Sequence, residues 1–351
     1  MRMIVPPPHG TDSTQRFLTY RYYLRSLAGL AGFAHSATDI ADVYPVIAGR
    51  VAALPSCRHR PAAAFDEQAL RRSLTNAWGT ELLLQLSGEY AVEDELLRVT
   101  NNWAAVQLYY VFYHATQALI LARGDSRPDT HQKTQKLFMD MWVMRPLDCA
   151  PWTLGHGAVP TNVPKSHTVE TKITTVARPR TEADFLNYVL KALFTTRKEA
   201  IPGVARARRE AKQKADRQAW EREEAERIRV GRRPRIRPRF SLPILTDAEK
   251  AAEHASVRCY TTMDILWRLR TRTNYSDGLM FIEGPIDEAA SAELNRDMRH
   301  LASATMLLYE LHICRQIGVD AIRALATSWL DRNKVSSSMG VGQRLGLVLA
   351  A

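Results

Sequence analysis

NNWAAVQLYYVFYHATQALILARGDSRPDTHQKTQKLF, residues 101–138, is the stretch whose reading decides the fold. At about 100° per residue, Trp103, Gln107, Tyr110, His114, Gln117 and Leu121 fall in one narrow stripe, and Ala105, Tyr109, Phe112, Thr116 and Leu119 lie opposite. Both sides are largely apolar or aromatic, which predicts a central helix packed by neighbours on several faces. Asn101, Asn102, Gln107, His114 and Gln117 interrupt the apolar run, so a bilayer span is a poor reading. Arg123 and Gly124 close the helix, a cation in the last turn followed by a residue that tolerates left-handed backbone. After Pro128, Asp129 is placed to cap a second helix through His131, Leu137 and Phe138.

Upstream, residues 1–12 with Pro6, Pro7 and Pro8 read as a lead-in without structure. Helical spacing begins at Ser13 and offers Phe17, Tyr20, Leu24, Leu27 and Phe33 to a core. A modest helix follows over 39–54, then a connector over 56–64. Leu70, Leu74, Ala77 and Trp78 mark a helix from Phe65 that Gly88 is expected to break, ahead of the acidic start Glu93, Asp94 and Glu95. Downstream, the Pro- and Gly-rich residues 139–167 read as loop and 168–176 carries a fair strand signal. Thr181 with Asp184 resembles a capping box opening a helix with Phe185, Tyr188, Val189, Leu193 and Phe194. A second box, Thr246 to Glu249, opens one helix through Met263, Leu266 and Leu269 that Arg270 and Arg272 close. Long helices are expected over 285–318 and 319–329, and residues 333–351 read as loosely ordered with Leu and Val side chains able to dock.

These patterns predict an all-α protein, an antiparallel helical bundle with a basic, partly helical insertion. Its parts are an N-terminal helical region (1–92), a first half-bundle (93–148), the insertion (149–245) and a second half-bundle with its tail (246–351). The 351 residues, 46% hydrophobic, suffice for a substantial core. Cys57, Cys149, Cys259 and Cys314 form no CxxC pair, which suggests neither a zinc site nor a disulfide framework and fits a reducing cytoplasm. Neither a signal peptide nor a membrane anchor is read. No His/Asp/Glu grouping has metal-ligand spacing, no phosphate loop is present, and no cofactor is expected.

The net charge of +11 is concentrated in one place. Residues 197–239 hold 16 Lys/Arg against 7 Asp/Glu, about nine of the eleven excess charges. Strong helix formers and pairs such as Glu223 with Arg227 predict a solvent-exposed helix ending near Gly231, and RRPRIRPRF, residues 232–240, reads as extended. Such an arm attracts phosphates or an acidic partner through Arg206, Arg208, Arg209, Lys212, Lys214, Arg232, Arg233, Arg235, Arg237 and Arg239. The plainer reading is a solvated spacer without a ligand.

Two separated motifs, YYVFYHATQALILARG with THQKTQKLF and the downstream LRTRTNYSDG, resemble the HEPN superfamily in its nucleotidyltransferase-associated branch, with the YaaC-like proteins as a narrower likeness. The resemblance covers about 93–140 and 247–329. It implies an antiparallel helical bundle, frequently a homodimer, acting on or near RNA in toxin-antitoxin or antiphage defence. Its active members are metal-independent RNases with an Arg-x(4–6)-His motif, in which arginine holds the phosphate and histidine moves a proton near neutral pH. No histidine follows Arg270 or Arg272 at that distance. Arg127 with His131, and Arg296 with His300, stand four apart, one short of the spacing. The candidate site residues are His114, His131, Arg270, Arg272, Asn274, Tyr275 and Asp277. Their bland readings are a satisfied core histidine at 114, an exposed one at 131, and a cluster in which Asn274 and Asp277 cap a turn while the arginines pair with carboxylates. Three functions follow: a non-catalytic protein binding RNA or an acidic protein partner through the arm, an RNase with a displaced site, or an assembly protein with a solvated arm.

Overall fold

The computed structural model describes residues 12–33, 39–54, 64–91, 93–145, 149–157, 178–242, 245–275 and 278–350. The fold is all-α. Its helices are α1 (Asp12–Ala31), α2 (Ile40–Ala53), α3 (Glu67–Tyr90), α4 (Asp94–Ala122), α5 (His131–Phe138), α6 (Glu182–Arg229), α7 (Asp247–Ser256), α8 (Thr262–Tyr275), α9 (Leu279–Ile282), α10 (Glu288–Ile317), α11 (Val319–Arg332) and α12 (Val341–Ala350). A π-helical turn, Met139–Val143, extends α5. Among the described residues the only sheet is a two-residue ribbon, β1 (Gly155–His156) antiparallel to β2 (Tyr260–Thr261). The strand expected over 168–176, the lead-in up to residue 11 and most of the 56–64 connector lie outside the described residues, and Asp12 opens α1.

Helix α4 is central and packs against α3, α5, α8, α9 and α10. Its Ala105, Tyr109, Phe112 and Thr116 face is fully buried, and the other stripe is not uniformly so: Trp103 is 60% exposed and Gln107, Tyr110 and His114 are half-buried. The expected all-round burial therefore holds for one side only, and the partly open side carries the candidate residues. Buried polar bonds set the register against α10. Asn101 Nδ2 donates to Ser291 O at 2.9 Å, Asn295 Nδ2 donates to Asn101 Oδ1 at 2.9 Å, and Thr116 Oγ1 meets Tyr309 OH at 2.8 Å. These pairs advance together, so α4 and α10 run in the same direction. Helices α3 and α8 run against α4: Gln85 reaches Arg299 and Ser303 while Trp78 reaches Glu310, and Arg270 reaches Tyr110 while Gly278, just past α8, lies beside Asn102. The two distant sequence segments thus close on one core, joined by Trp152, Leu154, Phe185, Tyr188 and Val189 from the region between them.

Several boundaries differ from expectation. Gly88 lies inside α3, where it lets α10 approach: a Cβ there would sit 2.6 Å from Arg299 Cδ. Thr130, not Asp129, caps α5 by accepting from Lys133 N, and Asp129 pairs with Lys133 instead. Both capping boxes form, but the second opens α7 alone, because β2 separates α7 from α8. The segments read separately before and after Pro202 are one 48-residue helix, α6. Pro202 deprives α6 of one backbone bond, but Ile201 and Ala205 on either side of it are buried.

The tail is ordered and docked. Arg344 of α12 is wholly buried, its Nη2 donating to Glu81 Oε2 at 2.8 Å and its Nε to Glu310 Oε2 at 2.9 Å. Ser303 Oγ donates to Glu81 at 2.7 Å and Trp78 Nε1 donates to Glu310 at 2.8 Å, so the carboxylate oxygens are further satisfied. Burial opposes the guanidinium charge, yet Glu310 and Glu81 override it and hold Arg344 well above its ordinary range.

Candidate functional site

Helices α4, α5 and α8 meet in a cluster of rings around one guanidinium. Tyr109 and Tyr113, one turn apart on α4, flank Tyr110 and His114, also one turn apart. Pro128 ends the turn before α5, where buried Gln117 donates to Pro128 O at 3.3 Å and accepts from Arg127 Nε at 3.2 Å, fixing where α5 begins. His131 therefore enters the cluster, with its ring centroid 4.4 Å from Tyr113 and 4.8 Å from Trp267. From α8, Arg270 lies over Trp267 at 4.8 Å, Tyr110 at 5.0 Å and Tyr109 at 5.5 Å, and its Nη2 donates to Tyr110 OH at 2.9 Å.

The structure thus brings His114, His131 and Arg270 together, and the ring contacts dictate what each can do. Tyr109 OH and His131 Nδ1 are 2.7 Å apart. Burial raises the Tyr109 phenol well above its usual range, so it stays protonated and is able to donate to Nδ1, which leaves the ring proton on Nε2. Burial and then the Arg270 charge lower the His131 pKa, and the neutral ring prevails at neutral pH. In that tautomer the basic nitrogen is already occupied. Burial, with Arg127 next, brings His114 down to about 4, and its buried Nδ1 has no hydrogen-bond partner, unlike the satisfied core histidine expected. Arg270 pairs with rings and a phenol rather than with the carboxylate expected, and its buried Nε has no partner.

Arg272 departs from Arg270. Two residues further along α8 it points to the other side, where its Nη2 donates to Glu199 Oε2 at 2.9 Å and Arg268, one turn earlier, pairs with the same oxygen. Asn274 is exposed within α8, Tyr275 ends α8, and Asp277, with the turn that Asn274 was expected to cap, lies outside the described residues. Arg268 and Arg272 edge a groove of about 840 Å³ between α5, α6, α7 and α8, which Trp267 also lines. Arg258 in its wall is taken up by buried Asp264, Nη1 to Oδ2 at 2.9 Å. Arg208 donates to Ser256 alone, and among the described residues no carboxylate pairs with it.

The outer part of α6 and the segment after it form a hairpin. From 230 onward the chain turns back along α6: Arg227 Nε donates to Arg233 O at 2.9 Å, Arg235 Nε to Glu224 at 2.7 Å, Arg237 Nη2 to Glu221 at 2.7 Å and Gln213 Nε2 to Phe240 O at 2.8 Å. Trp220 packs against Phe240 and under Arg235. Over 206–240 there are 14 Lys/Arg against 6 Asp/Glu. Besides Arg208, which meets Ser256, the nine other cations picked out in the sequence divide into two sets. Arg206, Arg209, Arg235 and Arg237 are matched to Glu210, Glu253, Glu224 and Glu221, and Lys212 lies near enough to Glu249 to help depress its carboxyl, behind Thr246. Lys214, Arg232, Arg233 and Arg239 are exposed and, among the described residues, carry no carboxylate partner.

Sequence reasoning missed Tyr109, Trp267, Gln135, Glu199 and Arg268. The i, i+4 spacing of Arg268 and Arg272 was the one signal available, since the others depend on how α5 and α6 lie on α8. Among the described residues no group of His, Cys, Asp and Glu is placed to hold a metal ion, and no helix is long and apolar enough to cross a membrane.

The fold and site define a helical bundle carrying a cationic hairpin beside an arginine-edged groove. No family model, curated protein or solved structure matches the chain.

Proposed function

We propose that this protein is a HEPN-like helical bundle that binds RNA without cleaving it, with the hairpin as its contact arm. The observation that carries the reading is the hairpin's division of labour. Matched pairs hold α6 and the return segment together, while Arg232, Arg233 and Arg239 at and beyond the turn are left to solvent. Fixed cations without counter-charges are what a polyphosphate backbone displaces its counterions for. Exchange of Arg232, Arg233 and Arg239 for glutamate should abolish retention of a labelled single-stranded RNA while the helical circular-dichroism signal is unchanged. Undiminished retention would remove the arm from the account, and a purely solvated spacer would then be the better description.

A second reading, an RNase with a displaced site, is favoured by one observation: His131 and Arg270 lie in one ring cluster although 139 positions separate them in sequence. Cleavage would need His131 to hold its proton on Nδ1, donating to Tyr109, so that Nε2 becomes the base. Incubation of labelled RNA with the protein and with His131→Ala decides between the two. The first reading predicts intact RNA from both, and cleavage lost in the variant would establish the second.

A further inference from the structure

We propose that the groove between α5, α6, α7 and α8 is a seat for a phosphomonoester, a dianionic phosphate carried on a nucleoside-sized group; as a 5′-phosphorylated RNA end it rests on the RNA-binding reading above, and as a free nucleotide it does not. Arg268 and Arg272 stand one turn apart on α8 and converge on a single oxygen, Glu199 Oε2. That oxygen marks where two guanidinium groups focus on an anion. Glu199 itself is a weak occupant, since its side chain is 46% exposed and carries a single negative charge. A phosphodiester would exchange one negative charge for another. A phosphomonoester brings about 1.5 to 2 negative charges at pH 7 and three acceptor oxygens, enough to satisfy both arginines better than the resident carboxylate does.

The rest of the groove supports a ligand of that size and kind. Gln135 lines it, is only 4% exposed, and its Nε2 has no hydrogen-bond partner although its Oε1 accepts from Arg258 at 3.2 Å. Nε2 is itself shielded from solvent, so an acceptor in the groove would reach this unpaired donor only after a turn of the Gln135 side chain. Arg208, on the opposite wall, meets only the hydroxyl and carbonyl of Ser256 and so adds charge that no carboxylate among the described residues offsets. The volume of about 840 Å³ is that of a small-molecule site rather than of a polymer track, and Trp267 supplies an aromatic surface for a base or sugar.

The test uses the full chain and two oligoribonucleotides of one sequence, ending in a 5′-phosphate or a 5′-hydroxyl, with calorimetric titration of AMP and adenosine beside them. The expected result is at least a tenfold preference for the phosphorylated end, binding of AMP but not adenosine, and loss of both in Arg272→Ala. Glu199→Gln should tighten AMP binding, a gain that a misfolded variant would not show. A preference confined to AMP identifies a free nucleotide as the occupant, and one confined to the oligonucleotide identifies an RNA end. Equal binding of both oligonucleotides with no AMP binding overturns the seat and leaves the RNA-binding reading standing. AMP binding in a protein that retains neither oligonucleotide keeps the seat and overturns that reading.

Discussion

The Arg344 cluster and the hairpin are both built from arginine and glutamate, and they work in opposite ways because of where water is. Arg344 is sealed between Glu81 and Glu310 with 0% exposure, so each group depends on protein partners alone, the carboxylates drawing on Arg344, Ser303 and Trp78 in place of water. In the hairpin, Arg237 and Glu221 remain about half exposed, and water stands ready to replace either partner. The same side chains therefore lock a helix in one region and leave a charged surface open to ligands in the other.

The largest expected effect tests the sealed region. Arg344→Met strands two buried carboxylates, and chemical denaturation at pH 7 should show a loss of about 3 to 5 kcal/mol. A loss below about 1 kcal/mol would mean that α12 is not held as described. The ring cluster stands between the two extremes. Arg270→Ala removes three ring contacts and the bond to Tyr110, and should lower stability by about 1 to 2 kcal/mol without affecting retention of RNA by the arm.

A smaller effect is read against pH. Burial, helped by neighbouring arginines, lowers His114 and His300 to about 4 and His312 to about 3, from an unfolded value of 6.5. The unfolded chain therefore binds more protons between pH 6.5 and 4, and stability from these groups is lost as pH falls through that window. Burial raises Asp297 to about 6 against the pull of Arg25, and this contribution runs the other way, falling as pH rises from 3.8 to 6. His300→Phe keeps the stack on Phe33, whose ring lies 4.3 Å from that of His300, and should make the acid-side slope shallower in urea titrations between pH 4 and 6.5. An unchanged slope would mean that His300 titrates alike in the folded and unfolded chain. At the small end, Arg237→Ala in the hairpin should leave the melting temperature where it was, because its partner returns to water.

What could be read from the sequence follows the same distinction between local and tertiary causes. The central helix, its Arg123–Gly124 ending and both capping boxes were legible because each depends on neighbours within a few residues. Gly88, the continuity of α6 and the tail were misread because packing decided them: α10 needs the bare backbone at Gly88, buried Ile201 and Ala205 flank Pro202 within one helix, and Arg344 finds its carboxylates more than 260 positions and 34 positions away. The site was legible in its charges and not in its geometry. Arg270 and Arg272 were singled out together, but a separation of two on a helix sends one into the rings and the other to Glu199. The need for Tyr109, Gln135 and Trp267 beside them arises only when α5 and α8 meet.

Binding of single-stranded RNA as a function of salt tests the central claim most directly. If Arg232, Arg233 and Arg239 each neutralise a phosphate, their replacement by alanine should reduce the slope of log K against log salt concentration by about 2, since each contact on a single strand contributes roughly 0.7. An identical slope for the wild-type and variant proteins would contradict the assignment of the hairpin as the RNA contact.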